Sequence, residues 1–187
     1  MRQILILFFC VFLVSAVEGA AKSCLAKPKA RKCLEVFKSL GEQASDYDLT
    51  NPNSSIPTNE LCGKFKRCAP TFSCDPEPKL VYAVNITILF CDAIDYFTNE
   101  FETCQVALDS NITDCTRAWA PFPEDIEDKK LKEEMQKEAC KNYFGKDNCM
   151  KDEIIKTCGV EQWYGFRKAH LALNTIIGAC QFKEGEP

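Results

Sequence analysis

Cysteine is the residue type that most constrains what this chain can fold into. The 187 residues include 13 cysteines but a single histidine. Zinc sites and catalytic cysteine sites usually need histidine partners or Cys-x-x-Cys pairs, and the sequence has no such pair. The cysteines therefore predict structural disulfides, and we expect neither a metal site nor a redox centre.

The first segment has the features of a signal peptide that spans residues 1–19. A positive start at Arg2 precedes the apolar run Ile4–Val17, and Glu18 ends that run. The run is shorter than the roughly 20 residues that a membrane-spanning helix needs, which favours a signal peptide over the alternative, an uncleaved anchor. Small residues favour cleavage after Gly19. We therefore expect residues 20–187 to be secreted and extracellular, with no membrane span.

Loss of the leader would remove Cys10 and leave an even number of cysteines. In an oxidising compartment, twelve cysteines predict six bridges, and their pairing cannot be deduced from the sequence. The twelve predicted bridge residues are Cys24, Cys33, Cys62, Cys68, Cys74, Cys91, Cys104, Cys115, Cys140, Cys149, Cys158 and Cys180.

Three Asn-x-Ser/Thr acceptor sites agree with an extracellular location. They begin at Asn53, Asn85 and Asn111, and each requires a solvent-facing asparagine. Asn53 lies in the Ser/Thr/Asn/Pro-rich stretch 46–59, which has the composition of an exposed loop. We predict glycosylation at all three asparagines.

The periodicity of the chain from residue 20 onwards is helical, and residues 80–108 are the most informative part. Val81–Phe90 has the β-branched content of a strand, which is the alternative. A three-four spacing of apolar residues nevertheless runs from Leu80 to Leu108, while Asn85 and Asp92 fall on the opposite side. One long amphipathic helix satisfies both patterns.

Shorter helices are predicted on either side of this segment. A first helix is expected to end at Gly41, and a linker over 42–59 precedes a short helix near Cys68. Farther on, Leu131, Met135 and Ala139 are expected to form the inner face of an acidic-start helix. Gly145 is expected to separate this helix from another over about Asn148–Cys158, which Gly159 closes, and a last helix is predicted from Trp163 towards Cys180. We therefore predict a single all-α, disulfide-stapled domain over residues 20–187.

The sequence offers few candidate residues for catalysis or nucleic-acid binding. The net charge of −4 argues against a nucleic-acid surface, where positive charge supplies most of the affinity. His170 lies on the apolar stripe of the last predicted helix and is expected to be a core residue. The acidic residues Glu124 and Asp125 are more simply explained by the positive end of a helix dipole than by acid–base catalysis. We predict no catalytic residue and no cofactor, hence a protein that is not an enzyme.

Several segments carry a family resemblance. They are CDAIDYFTNEFETC from Cys91, CTRAW from Cys115, YFGKDNCM from Tyr143, IIKTCG from Ile154 and WYGFRKAHLALN from Trp163. Together with the order of the cysteines from Cys24 to Cys180, they resemble a nematode family of secreted domains, domain of unknown function nineteen. This resemblance implies an extracellular domain with six bridges, and it implies no catalytic residues.

Three functional hypotheses follow from the sequence. The first is a secreted, non-enzymatic glycoprotein that binds an extracellular protein or glycan, in defence or at a body surface. The second is a carrier of lipid or another apolar small molecule, since disulfide-linked helices can enclose an apolar cavity. The third is a secreted hydrolase that uses the acidic cluster.

Overall fold

A computed structural model of the chain describes residues 25–45, 52–74, 77–122 and 127–182, so the predicted signal peptide and Cys24 lie outside the described residues. The described α-helices are α1 (Pro28–Ser45), α2 (Pro52–Cys68), α3 (Pro78–Asp95), α4 (Glu102–Ser110), α5 (Asp114–Ala118), α6 (Lys129–Lys141), α7 (Cys149–Cys158) and α8 (Val160–Ile177). Short 3₁₀ segments span Ala69–Cys74 and Lys146–Asn148. These residues form no strand, and the predicted all-α class is confirmed.

The helices fall into two compact units, which meet in sequence between Thr98 and Asn99. The N-terminal unit contains α1, α2 and α3, and the C-terminal unit contains α4 to α8. A single domain over residues 20–187 remains a prediction.

The core of the N-terminal unit is aromatic and cross-linked. Phe37 and Phe65 stack with ring centroids 5.4 Å apart, and both are buried. Two disulfides hold the helices around this pair: Cys33–Cys68 joins α1 to α2, and Cys62–Cys91 joins α2 to α3.

Helix α3 begins where the sequence provides both a cap and a proline. The Glu77 carboxylate accepts a hydrogen bond from the Leu80 amide at 2.9 Å, and Pro78 occupies the first turn, where a missing N–H costs nothing. Leu80 and Cys91 are buried, whereas Asn85 and Asp92 are exposed, as the amphipathic pattern predicted. By length and composition, Pro78–Glu100 is apolar enough to cross a membrane, and a buried core helix has the same character.

The predicted continuous helix from Leu80 to Leu108 is interrupted. A π-helical turn spans Tyr96–Glu100, and α4 begins only after Phe101. The Thr98 hydroxyl donates to the Ile94 carbonyl at 2.7 Å, and so competes for an acceptor that the α-helical backbone uses. Apolar spacing alone does not reveal such local competition.

Two further boundaries differ from the predictions. Helix α1 runs through Gly41 to Ser45, and α2 already begins at Pro52, so the end at Gly41 and the linker over 42–59 are wrong. Gly41 is buried inside the unit, and proline is well tolerated in a first helical turn. Tertiary packing has overridden the stop signal at Gly41, and α2 also continues through Pro57, which lies inside the helix.

The C-terminal unit is organised by three disulfides. Cys104–Cys158 links α4 to α7, Cys115–Cys149 links α5 to α7, and Cys140–Cys180 links α6 to the segment after α8. The unit depends on backbone turns that favour glycine: Gly145 (φ 81°) ends the turn after α6, and Gly159 (φ 94°) separates α7 from α8. Both glycines stand where the sequence predicted helix breaks.

Disulfide cross-linking is therefore confirmed across the described chain. Each of the five bridges between described residues joins two residues of the same unit. Cys74 is also disulfide-bonded.

Candidate functional site

Two features of the C-terminal unit are candidates for function: an aromatic cluster around His170 and the surface of helix α6. Helix α8 places His170 one turn after Phe166, and their ring centroids are 4.4 Å apart. The indole of Trp119 meets the imidazole edge-on at 4.9 Å. The rings of Phe122, Tyr143 and Phe144 also surround it. The imidazole is thereby enclosed, with 6% of the residue exposed.

Polar atoms of this cluster bind backbone groups. The Tyr143 hydroxyl donates to the His170 carbonyl at 2.7 Å, and the Trp119 indole N–H donates to the Tyr143 carbonyl at 2.9 Å. Burial lowers the pKa of His170 to about 3 and raises the pKa of the Tyr143 hydroxyl. At neutral pH the imidazole is uncharged and sealed from solvent, so the prediction of a packed core histidine is confirmed.

The chain after α8 is held against this core. The buried Asn174 side chain donates to the Cys180 carbonyl at 2.9 Å and accepts from the Cys180 amide at 2.8 Å. Phe182 packs edge-on to Tyr143 at 5.1 Å. These contacts, together with the Cys140–Cys180 bridge, fix one end of α6 to the unit.

Helix α6 contradicts the prediction of an inner face at Leu131, Met135 and Ala139. Leu131 is 49% exposed and Met135 is 39% exposed, and no residue of this helix is buried. These residues are exposed because the Cys140–Cys180 disulfide attaches α6 to the unit by another side of the helix. The Gln136 amide lies 3.4 Å from the Cys140 sulfur, so these two residues face the disulfide. At 100° per residue, the Leu131/Met135 stripe lies roughly 140° around the axis from that attached side.

The surroundings of the stripe are strongly charged. The 13 residues of α6 include five lysines and three glutamates, and Asp128 caps its first turn by accepting from the Lys130 and Leu131 amides. This excess of charge, with only two large apolar residues, is the sequence signal that could have identified an exposed helix.

The predicted glycosylation sites have separate positions. Asn85 is exposed on α3, and Asn111 is exposed at the C-terminal end of α4. The side chain of Asn53 lies outside the described residues, as do Glu124 and Asp125. Within the described ranges, no three His, Cys, Asp or Glu side chains are grouped so as to hold a metal ion.

These features define an all-α, disulfide-rich protein, and such a density of disulfides is typical of extracellular proteins. The family described as Domain of unknown function (DUF19) matches residues 24–181, and the chain belongs to this family. A UPF0376 protein of Caenorhabditis elegans is 34% identical over 159 residues, which cover 83% of this chain and 79% of that protein. Another relative from the same nematode, Excretory canal abnormal exc-13, is 31% identical over 166 residues, 84% of this chain and 80% of its own. No solved structure gives a significant match.

Proposed function

We propose that this chain is a secreted, non-enzymatic glycoprotein that binds an extracellular protein partner through helix α6. The observation that carries the proposal is the exposure of Leu131 and Met135 on a helix fixed by a disulfide. An amphipathic helix that docks into an apolar groove does so with residues spaced like these two, at i and i+4.

The physical gain from docking is appreciable for so small a surface. Full burial of an exposed leucine or methionine side chain contributes about 1.5–3 kcal/mol, and because Leu131 is 49% and Met135 39% exposed, docking of both together contributes roughly this amount. The Cys140–Cys180 bridge and the Asn174 hydrogen bonds hold the helix in place beforehand, so less conformational entropy is lost on binding. The enclosed histidine supports the non-enzymatic part of the proposal, because a buried neutral imidazole does not reach a substrate.

An extracellular site of action is supported by the density of disulfides. The name of the relative exc-13 refers to the excretory canal. For this chain we propose a role at a body surface.

The test compares two double variants of the glycosylated, secreted protein. Leu131→Gln/Met135→Gln removes the apolar stripe, and Glu133→Gln/Lys137→Gln is a matched control at the same spacing on another side of α6. Extracellular proteins of the source animal are cross-linked to each variant and quantified by mass spectrometry. Their affinities for the captured partner are then measured.

The expected result is a partner captured by the native protein and by the control, with binding at least roughly 30-fold weaker for the stripe variant, equivalent to about 2 kcal/mol. Equal binding by all three proteins would exclude α6 as the binding surface. Native mass spectrometry of the same material tests the lipid-carrier alternative, which requires a co-purified apolar ligand.

A further inference from the structure

Exposed apolar side chains adjoin two of the predicted acceptor asparagines. Val81 and Tyr82 lie beside Asn85, while Ile112 directly follows Asn111. These three side chains are between 44% and 61% exposed. We propose that N-linked glycans on Asn85 and Asn111 cover these apolar side chains, an inference that rests on the proposed glycoprotein nature of the chain.

The geometry on α3 favours this cover. Asn85 follows Val81 by four residues and Tyr82 by three, so all three lie on one face of the helix. A pyranose ring presents C–H groups on its faces and hydroxyls at its rim. It can therefore cover the aliphatic and aromatic groups while its hydroxyls remain in water. A glycan in the middle of this face also obstructs a protein partner there.

The second site lies at the end of α4, where Asn111 is the residue at which the helix ends and the exposed Ile112 follows it directly. Contiguous exposed apolar surface is an aggregation liability unless something binds it, and an N-glycan is bulky and solubilising. The Leu131/Met135 stripe of α6 differs, since the sequence places no acceptor asparagine beside it.

The structure also indicates when a glycan is attached to Asn85. The threonine that completes this acceptor site, Thr87, is buried, and its hydroxyl donates to the Ala83 carbonyl at 2.8 Å. The transferring enzyme must recognise that hydroxyl, so attachment precedes the folding of α3. In the reaction, Asn85 Nδ2 bonds to the anomeric carbon of a lipid-diphosphate-linked oligosaccharide. The lipid diphosphate leaves, and the amide proton passes to a base.

The experiment measures separately the glycan occupancy of the asparagines and the shielding of the apolar side chains. The protein is secreted from a eukaryotic host, and intact mass spectrometry gives the glycan occupancy at each asparagine. Glycans are then removed enzymatically from the folded protein. Binding of a dye that fluoresces on apolar surfaces is recorded before and after removal, together with the monomer fraction by light scattering.

Removal is expected to raise dye fluorescence several-fold and to lower the monomer fraction. In the triple variant Val81→Ser/Tyr82→Ser/Ile112→Ser, removal should change neither quantity. The control Leu131→Ser/Met135→Ser should respond to removal as the native protein does. Occupied sites with no change in dye binding would overturn the proposed cover while leaving the glycoprotein intact. Unoccupied asparagines would overturn both.

Discussion

Acid should destabilise this protein through its single histidine. Because burial lowers the pKa of His170 to about 3, the folded state keeps the imidazole neutral where the unfolded chain would protonate it, below about pH 6.5. The free energy of unfolding therefore has its full value above pH 6.5 and falls as the pH drops towards 3. Each pH unit in that interval costs about 1.4 kcal/mol, so about 2 kcal/mol is lost between roughly pH 7.5 and pH 5.

Guanidinium unfolding with the disulfides intact measures this loss. Trp119 and Trp163 provide the fluorescence signal, since both lie in the same aromatic cluster as His170. The matched variant His170→Gln keeps a polar side chain but does not titrate. Other ionisable groups contribute equally to both proteins, so the difference between their pH profiles isolates the imidazole.

Over this pH range, the free energy of unfolding of the native protein should fall by about 2 kcal/mol more than that of the variant. Parallel profiles would refute the reasoning, as would an NMR titration of the imidazole with a midpoint near pH 6.5. A variant that fails to fold leaves that titration as the deciding measurement, because the chain has only one histidine.

Two substitutions test the backbone of the C-terminal unit. Gly145→Ala would place a Cβ 2.5 Å from the Cys149 sulfur at positive φ, whereas Gly159→Ala meets nothing within 4 Å and carries the φ strain alone. Thermal unfolding should show a loss of about 1–2 kcal/mol for Gly159→Ala and a clearly larger one for Gly145→Ala, and equal losses would contradict the steric argument. Asn174→Ala leaves the Cys180 amide and carbonyl without their side-chain partner and should cost about 2–4 kcal/mol in the same assay, whereas a loss below about 0.5 kcal/mol would show that water replaces the amide.

The sequence predicts the helical class well because its signals are strong and repeated. The three-four spacing from Leu80 onwards outweighs the β-branched residues around it, and α3 is a helix with Asn85 exposed. Gly145 and Gly159 were identified as breaks, and each adopts a positive φ. Features that depend on neighbouring residues, such as helical periodicity and glycine turns, can therefore be predicted from the local sequence.

The sequence alone does not predict features that depend on tertiary contacts, such as which side of a helix is buried. The Leu131/Met135 spacing is that of a buried face, yet Cys140 attaches α6 to the unit from another side. Which side of a helix is attached depends on the pairing of its cysteine with a residue far along the chain. The exposed stripe of the candidate site was missed for this reason, whereas the enclosed position of His170 was anticipated from its apolar neighbours.

The distribution of the bridges between the units has a consequence for biosynthesis. Cys33, Cys62, Cys68 and Cys91 pair among themselves, and these four and the bonded Cys74 leave the ribosome before the six cysteines that form the other three described bridges. Those six cysteines can pair among themselves in 15 ways, far fewer combinations than when all cysteines of the chain are oxidised together. Translation order thus narrows the search for the native pairing, and shuffled isomers should accumulate mainly when the complete reduced chain is oxidised at once.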